Sequence, residues 1–145
     1  MVSLLTEAEG GQKRTALMVA ARLSNKNGKK MDRLSPYEVE AIKVVSSSAN
    51  QSEILLAQLV KAKCASRDYT GVGLYTNIIV DSTAPTLNLD YWKIEDFPKG
   101  YAEHPELPAG IGIILWLKDG CMTCLESYTY EGEWPKNEAL FRVST

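Results

Sequence analysis

Four side chains in this 145-residue chain are of the types that bond-making chemistry uses: Cys64, Cys121, Cys124 and His104. Cys121-Met122-Thr123-Cys124 has the CxxC spacing of a zinc knuckle or a thiol redox site. Both uses require the two thiols to converge. This run lies in an alternating apolar segment that reads as a strand, where residues three apart point to opposite faces. A second CxxC is absent, and Cys64 with His104 would make an ill-assorted completion of a tetrahedral set. The expectation is therefore no metal, no cofactor and three free, structural thiols, since an odd count excludes a complete disulfide framework.

His104, between Glu103 and Pro105 in a proline-rich stretch, is the only histidine. A general base needs an orienting partner and a reacting atom within hydrogen-bond reach. The sequence offers no signature for either, so a surface histidine is expected. A small hydrolase or transferase using His104 and a cysteine is the alternative. Gly71-Val72-Gly73 is too short for a phosphate loop and lacks the following Lys-Ser/Thr, so it reads as a turn into a strand. With no catalytic constellation, the expectation is a binding protein rather than an enzyme, with a non-catalytic adaptor module as a further alternative.

The elements that would position these residues are legible from periodicity and turn chemistry. Residues 12–23 (QKRTALMVAARL) place Ala16, Leu17, Ala20 and Leu23 on one helical stripe. Residues 24–33 are polar and basic and read as a linker. Residues 1–33 are thus either a basic N-terminal extension or a first helix packed on the core, and residues 34–145 form a single α+β domain. Ser35-Pro36-Tyr37-Glu38 has the capping box and N-terminal proline of a helix start. That helix would run to about Val45 with Val39 and Ile42 inward. A second helix over 52–62, capped by Asn50 or Ser52, would bury Leu55, Leu56, Leu59 and Val60.

From Lys63 the period changes to two. Strands are expected over Lys63–Tyr69, Val72–Asp81, 111–117, 121–130 and Leu140–Val143, with a short one over Asn88–Ile94. Residues 95–110 hold three prolines and read as a long loop. An Asp119-Gly120 turn would pair Lys118 with Cys121 and Leu117 with Met122. That register puts Cys124 beside Leu117, and Leu125 with Trp116 on the other face. Both faces are apolar, so the hairpin should be central and covered on both sides. The fold class is α+β: N-terminal helices packed on a mainly antiparallel β-sheet of four to six strands.

The net charge of −2 is unevenly spread. Residues 1–33 hold seven bases and three acids, a net of +4, whereas residues 34–145 carry −6. Between Asp81 and Glu138, four lysines face eleven acids. An acidic body argues against nucleic-acid binding, which needs clustered Lys and Arg, and suits a basic protein partner. No window approaches a membrane span. The first residues meet Glu7 and Glu9 rather than a leader-like apolar core, so a cytoplasmic location is expected.

Tyr and Trp are interleaved with these carboxylates, as on a protein-binding face. Leu117-Lys118-Asp119-Gly120 followed by Leu125-Glu126-Ser127-Tyr128-Thr129-Tyr130-Glu131-Gly132-Glu133-Trp134-Pro135 resembles a pattern in small bacterial proteins of toxin-associated gene neighbourhoods. There a DG turn and an LE-x-Y-x-Y strand end in a Trp-Pro corner, after paired helices and a strand. The layout from Leu34 onward is similar. Such proteins include immunity proteins of contact-dependent growth inhibition and related polymorphic toxin systems. The resemblance implies a cytoplasmic, non-catalytic antitoxin whose partner is a cognate toxin domain, often a basic nuclease. The expected partner-binding carboxylates are Asp90, Asp96, Glu103, Glu106, Glu131 and Glu133, with Tyr101 and an exposed Trp134 as aromatic anchors.

Overall fold

The computed structural model describes residues 31–145; the helix expected over 12–23 lies outside the described residues. Helix α1 (Pro36–Ser47) starts as its sequence dictates: Ser35 Oγ accepts from Glu38 N, and Glu38 Oε1 accepts from Ser35 N. Helix α2 (Ser52–Val60) follows, and a six-stranded sheet is built from the remainder. Its strands are β1 (Ala62–Tyr69), β2 (Gly73–Val80), β3 (Lys99–His104), β4 (Leu107–Lys118), β5 (Cys121–Thr129) and β6 (Arg142–Ser144). The order across the sheet is β1-β2-β5-β4-β3-β6, and every pairing is antiparallel. Two helices preceding an antiparallel sheet make this an α+β fold. No helix among the described residues is long and apolar enough to cross a membrane.

The helices cover one face of the sheet. Tyr37, Ala41, Ile42, Val45 and Leu55 pack on Ile111, Ile113, Leu115, Leu117, Met122 and Leu125. The α1 stripe is 38–41–42–45 rather than one containing Val39, which is exposed. Glu38 takes the inward position because Arg67 and Thr76 hydrogen-bond its carboxylate there. In α2, Leu55 is buried as expected, but Val60 is 83% exposed and the second inward residue is Gln58. Its side chain donates to Pro85 O and Gly120 O and accepts from Met122 N, so it ties the helix to the β4–β5 turn. The N-cap of α2 is Gln51, in a left-handed conformation, and not Asn50 or Ser52.

Three local expectations are corrected. Asn88–Ile94 is not a strand. Gln51 occupies both backbone groups of Asn88, Asp90 N turns back to Asn88 Oδ1, and Trp92 N closes on Leu89 O, which leaves no ladder to join. Residues 95–110 are not one long loop either. After a short 3-10 turn (Ile94–Asp96) they form β3, a Pro105-Glu106 turn and the start of β4. The prolines are tolerated because Pro98 precedes the strand, Pro105 is in the turn, and Pro108 lies where the β3–β4 register shifts.

The third correction concerns register. Asp119 (φ 54°) and Gly120 (φ 80°) make the expected tight turn, and Lys118 pairs with Cys121 and Leu117 with Met122. Beyond that rung a bulge intervenes, and Trp116 pairs with Cys124. Thr123 is the extra residue, and its Oγ1 donates to Trp116 O at 3.2 Å. Cys124 therefore joins Trp116 on the face away from the helices, and Leu125 joins Leu115 in the core. On that second face Trp116 and Cys124 are buried with Tyr75, Phe97 and Ile114 around them.

Candidate protein-binding surface

The antiparallel register fixes which loops share an end of the sheet. Gly73, where β2 begins, pairs with Tyr128 near the end of β5; Thr129 pairs with Ile111 of β4; His104 pairs with Leu107. The β1–β2 turn, the β3–β4 turn and the segment leaving β5 therefore emerge together. Backbone bonds tie the segment leaving β5 to the β1–β2 turn and to β4: Thr129 N donates to Val72 O, Trp134 N to Gly71 O and Tyr130 N to Gly110 O.

Four of the six candidate carboxylates lie at this end, all exposed: Glu103 on β3, Glu106 in the turn, and Glu131 and Glu133 after β5. Tyr101, 45% exposed, is separated by β4 from the Tyr128–Tyr130 pair, whose ring centroids are 5.5 Å apart. Tyr128 lies against Gly112, where a Cβ would fall 2.4 Å from the ring, so only glycine leaves room for it. Burial, then the neighbouring Tyr130, pushes the Tyr128 hydroxyl up to about 12.

Asp90 and Asp96 are not brought to this end. Asp90 follows the segment that bonds the β4–β5 turn through Leu87 N and Gly120 O. Asp96 turns its carboxylate back on Lys93 N at 2.9 Å.

Trp134 is half-buried, which corrects the exposed anchor expected from its Glu-Trp-Pro context. Its ring packs against Phe141 at 5.1 Å and edge-on to Tyr37 at 6.2 Å, and Nε1 donates to Glu138 Oε2 at 2.8 Å. Tyr69 at the end of β1 donates its hydroxyl to the same oxygen at 3.2 Å. Burial and then the Glu138 charge raise the Tyr69 hydroxyl. Between these side chains runs a shallow groove of about 710 Å³, lined by Tyr69, Val72, Trp134 and Pro135 together with the charged Glu133, Lys136 and Glu138. Glu138 and Tyr69 were not among the candidates. One lies in a segment that reads as the approach to a last strand, and the other ends a strand far away in sequence.

His104 is buried rather than on the surface. Nε2 lies 2.8 Å from Asn137 O and Nδ1 accepts from Glu106 N at 3.1 Å, so both ring nitrogens are engaged in holding the β3–β4 turn to the chain's last segment. Phe141 closes over the ring at 4.8 Å. Among the described residues the cysteines form no disulfide. Cys64 is buried, and that burial pushes its thiol up to about 11, away from the thiolate a nucleophile requires. Among the described residues, no group of three or more His, Cys, Asp or Glu could hold a metal ion.

At this end of the sheet, four exposed carboxylates lie on two segments that also carry Tyr101, Tyr130 and Trp134. Compared with protein-family models, with curated proteins and with solved structures, the chain matches none.

Proposed function

We propose that this chain is an immunity protein of a bacterial contact-dependent growth inhibition or related polymorphic toxin system. It binds and neutralises a cognate toxin domain, a basic nuclease-type protein, in the cytoplasm, and makes or breaks no bonds itself. One observation carries the reading. Two segments separated in sequence, β3 with its turn and the stretch after β5, carry Glu103, Glu106, Glu131 and Glu133 to one end of the sheet, together with Tyr101, Tyr130 and Trp134. Carboxylates steer a basic partner and aromatics anchor it. The same charge repels phosphate backbones, so nucleic acid is not the partner. Asp90 and Asp96 lie outside this surface and would add only long-range attraction.

The test is co-expression with the polypeptide encoded immediately upstream. The reading expects that polypeptide to co-purify with this chain, and expects this chain to rescue growth from it. Neither co-purification nor rescue would retire the reading.

A further inference from the structure

We infer that the groove between the β1–β2 turn and the segment after β5 seats an arginine side chain of the partner. The inference deepens the antitoxin reading and takes its occupant's source, the toxin domain, from it.

Glu138 is the centre of the site. Its Oε2 is fixed by two donors on opposite walls, Trp134 Nε1 at 2.8 Å and Tyr69 OH at 3.2 Å. Those donors orient the carboxylate but leave its charge uncompensated. Among the described residues, the one ion pair is Arg67 with Glu38, on another part of the molecule. Glu138 is nonetheless half-buried, and its charge reaches Tyr37 and Tyr69, helping to raise both hydroxyls after burial itself. Oε1 has no hydrogen-bond partner among the described residues. A carboxylate already oriented by two donors and not ion-paired presents its other oxygen to a cationic donor, and such charge-assisted hydrogen bonds are the strong ones.

The walls narrow the choice of cation. Tyr69 and Trp134 are aromatic, and Val72 is 54% exposed at the groove's edge. A planar guanidinium stacks on aromatic faces, is weakly hydrated and donates in a fork that reaches two acceptors. Glu138 Oε1 and the exposed Glu133 are those acceptors. An ammonium is more strongly hydrated and loses more on entering such walls. Lys136 on the rim leaves the lining with a net charge of −1, which retains the attraction for a cation.

The experiment uses the full-length chain and N-acetyl-arginine amide as probe. The indole N–H resonance of Trp134 is assigned with Trp134→Phe and followed by NMR. A saturable shift confined to Trp134, with Trp92 and Trp116 unmoved, is expected. Glu138→Gln keeps an acceptor for Trp134 and Tyr69 but removes the charge, and should abolish saturation while the spectrum stays dispersed. Glu133→Gln should weaken it. No saturable shift, or one unchanged in Glu138→Gln, overturns the site. An equal response to N-acetyl-lysine amide overturns arginine as its occupant. In the second arm, Glu138→Gln should weaken binding of the neighbour-encoded polypeptide about tenfold or more, as for the loss of a desolvated charge contact. If that polypeptide fails to bind even the unsubstituted chain while the probe still shifts Trp134, the groove stands and the antitoxin reading falls.

Discussion

Arg67 on β1 grips Glu38 on α1 in a two-pronged contact, Nε to Oε2 and Nη2 to Oε1, each at 2.8 Å. Ser35 N and Thr76 Oγ1 complete the carboxylate's shell, both at 2.7 Å, and Glu38 has no exposed surface. One buried charge thus joins the start of α1 to β1 and β2, the two strands at one side of the sheet. Truncating one partner of such a pair is worse than never having had it, because the other charge remains buried and unpaired. Arg67→Met should cost about 3 kcal/mol, at the low end for buried pairs because the Arg67 side chain is a quarter exposed. Urea unfolding at neutral pH measures it.

The same carboxylate sets an acid dependence. Burial alone would raise the Glu38 carboxyl, but the bonds from Arg67, Ser35 and Thr76 outweigh it and hold the group below its ordinary 4.5. A depressed folded-state value means the stabilisation is present above the unfolded value and disappears as pH falls through the folded one. The urea midpoint should therefore fall as pH drops below about 4.5. Glu38→Gln should start less stable at neutral pH and lose less on acidification. Parallel curves for the two proteins would contradict this account.

Gln58 offers a second stability test. Its amide satisfies Pro85 O, Gly120 O and Met122 N inside the fold, at 2.8 to 3.0 Å. Gln58→Leu fills similar space but leaves Pro85 O and Met122 N without their partner, while Gly120 O keeps its bond from Leu87 N. At about 1 kcal/mol for each buried group orphaned, the cost is about 2 kcal/mol. Hydrogen exchange should localise the damage, with the amide of Met122 gaining the most rapid exchange.

These two residues also show where a sequence stops being legible. The capping box at Ser35, the Asp119-Gly120 turn and the alternating strands of β4 and β5 were all readable, because each is a local rule with a local cause. Glu38 read as a capping residue only. Nothing near it in sequence announces Arg67, which is 29 residues away. The β4–β5 bulge was hidden for a similar reason: Thr123 looks like any strand threonine until its hydroxyl finds Trp116 O. At the candidate surface, the glutamates were visible as composition, but their convergence depends on the β3–β4 hairpin. Three prolines disguised that hairpin as a loop. Tyr69 and Glu138 meet across 69 residues and carry no shared motif.

Gly100 tests whether α1 and β6 depend on a close approach. A Cβ there would come within 2.6 Å of Ser144 O and 2.8 Å of Val45 Cγ1. The first of these is backbone and cannot rotate away. Gly100→Ala should displace β6 from β3 and destabilise the fold by about 1–3 kcal/mol, the range for overpacking. Loss of amide protection at Arg142–Ser144, with α2 unaffected, is the expected signature.

The last prediction separates recognition from catalysis. If protection rests on surface carboxylates, the imidazole and the thiols are dispensable for it. His104→Asn and Cys124→Ala should each bind the toxin domain within about twofold of the unsubstituted chain, provided circular dichroism shows them folded. Neutralising Glu103, Glu106, Glu131 and Glu133 together should instead slow association by about tenfold or more and flatten its dependence on salt, because rim charges act mainly on the encounter rate. Stopped-flow binding at two ionic strengths distinguishes the cases. If His104→Asn abolishes protection in a folded protein while the four neutral substitutions leave association unchanged, the active group is the imidazole, and its two hydrogen bonds to Asn137 and Glu106 must open during function.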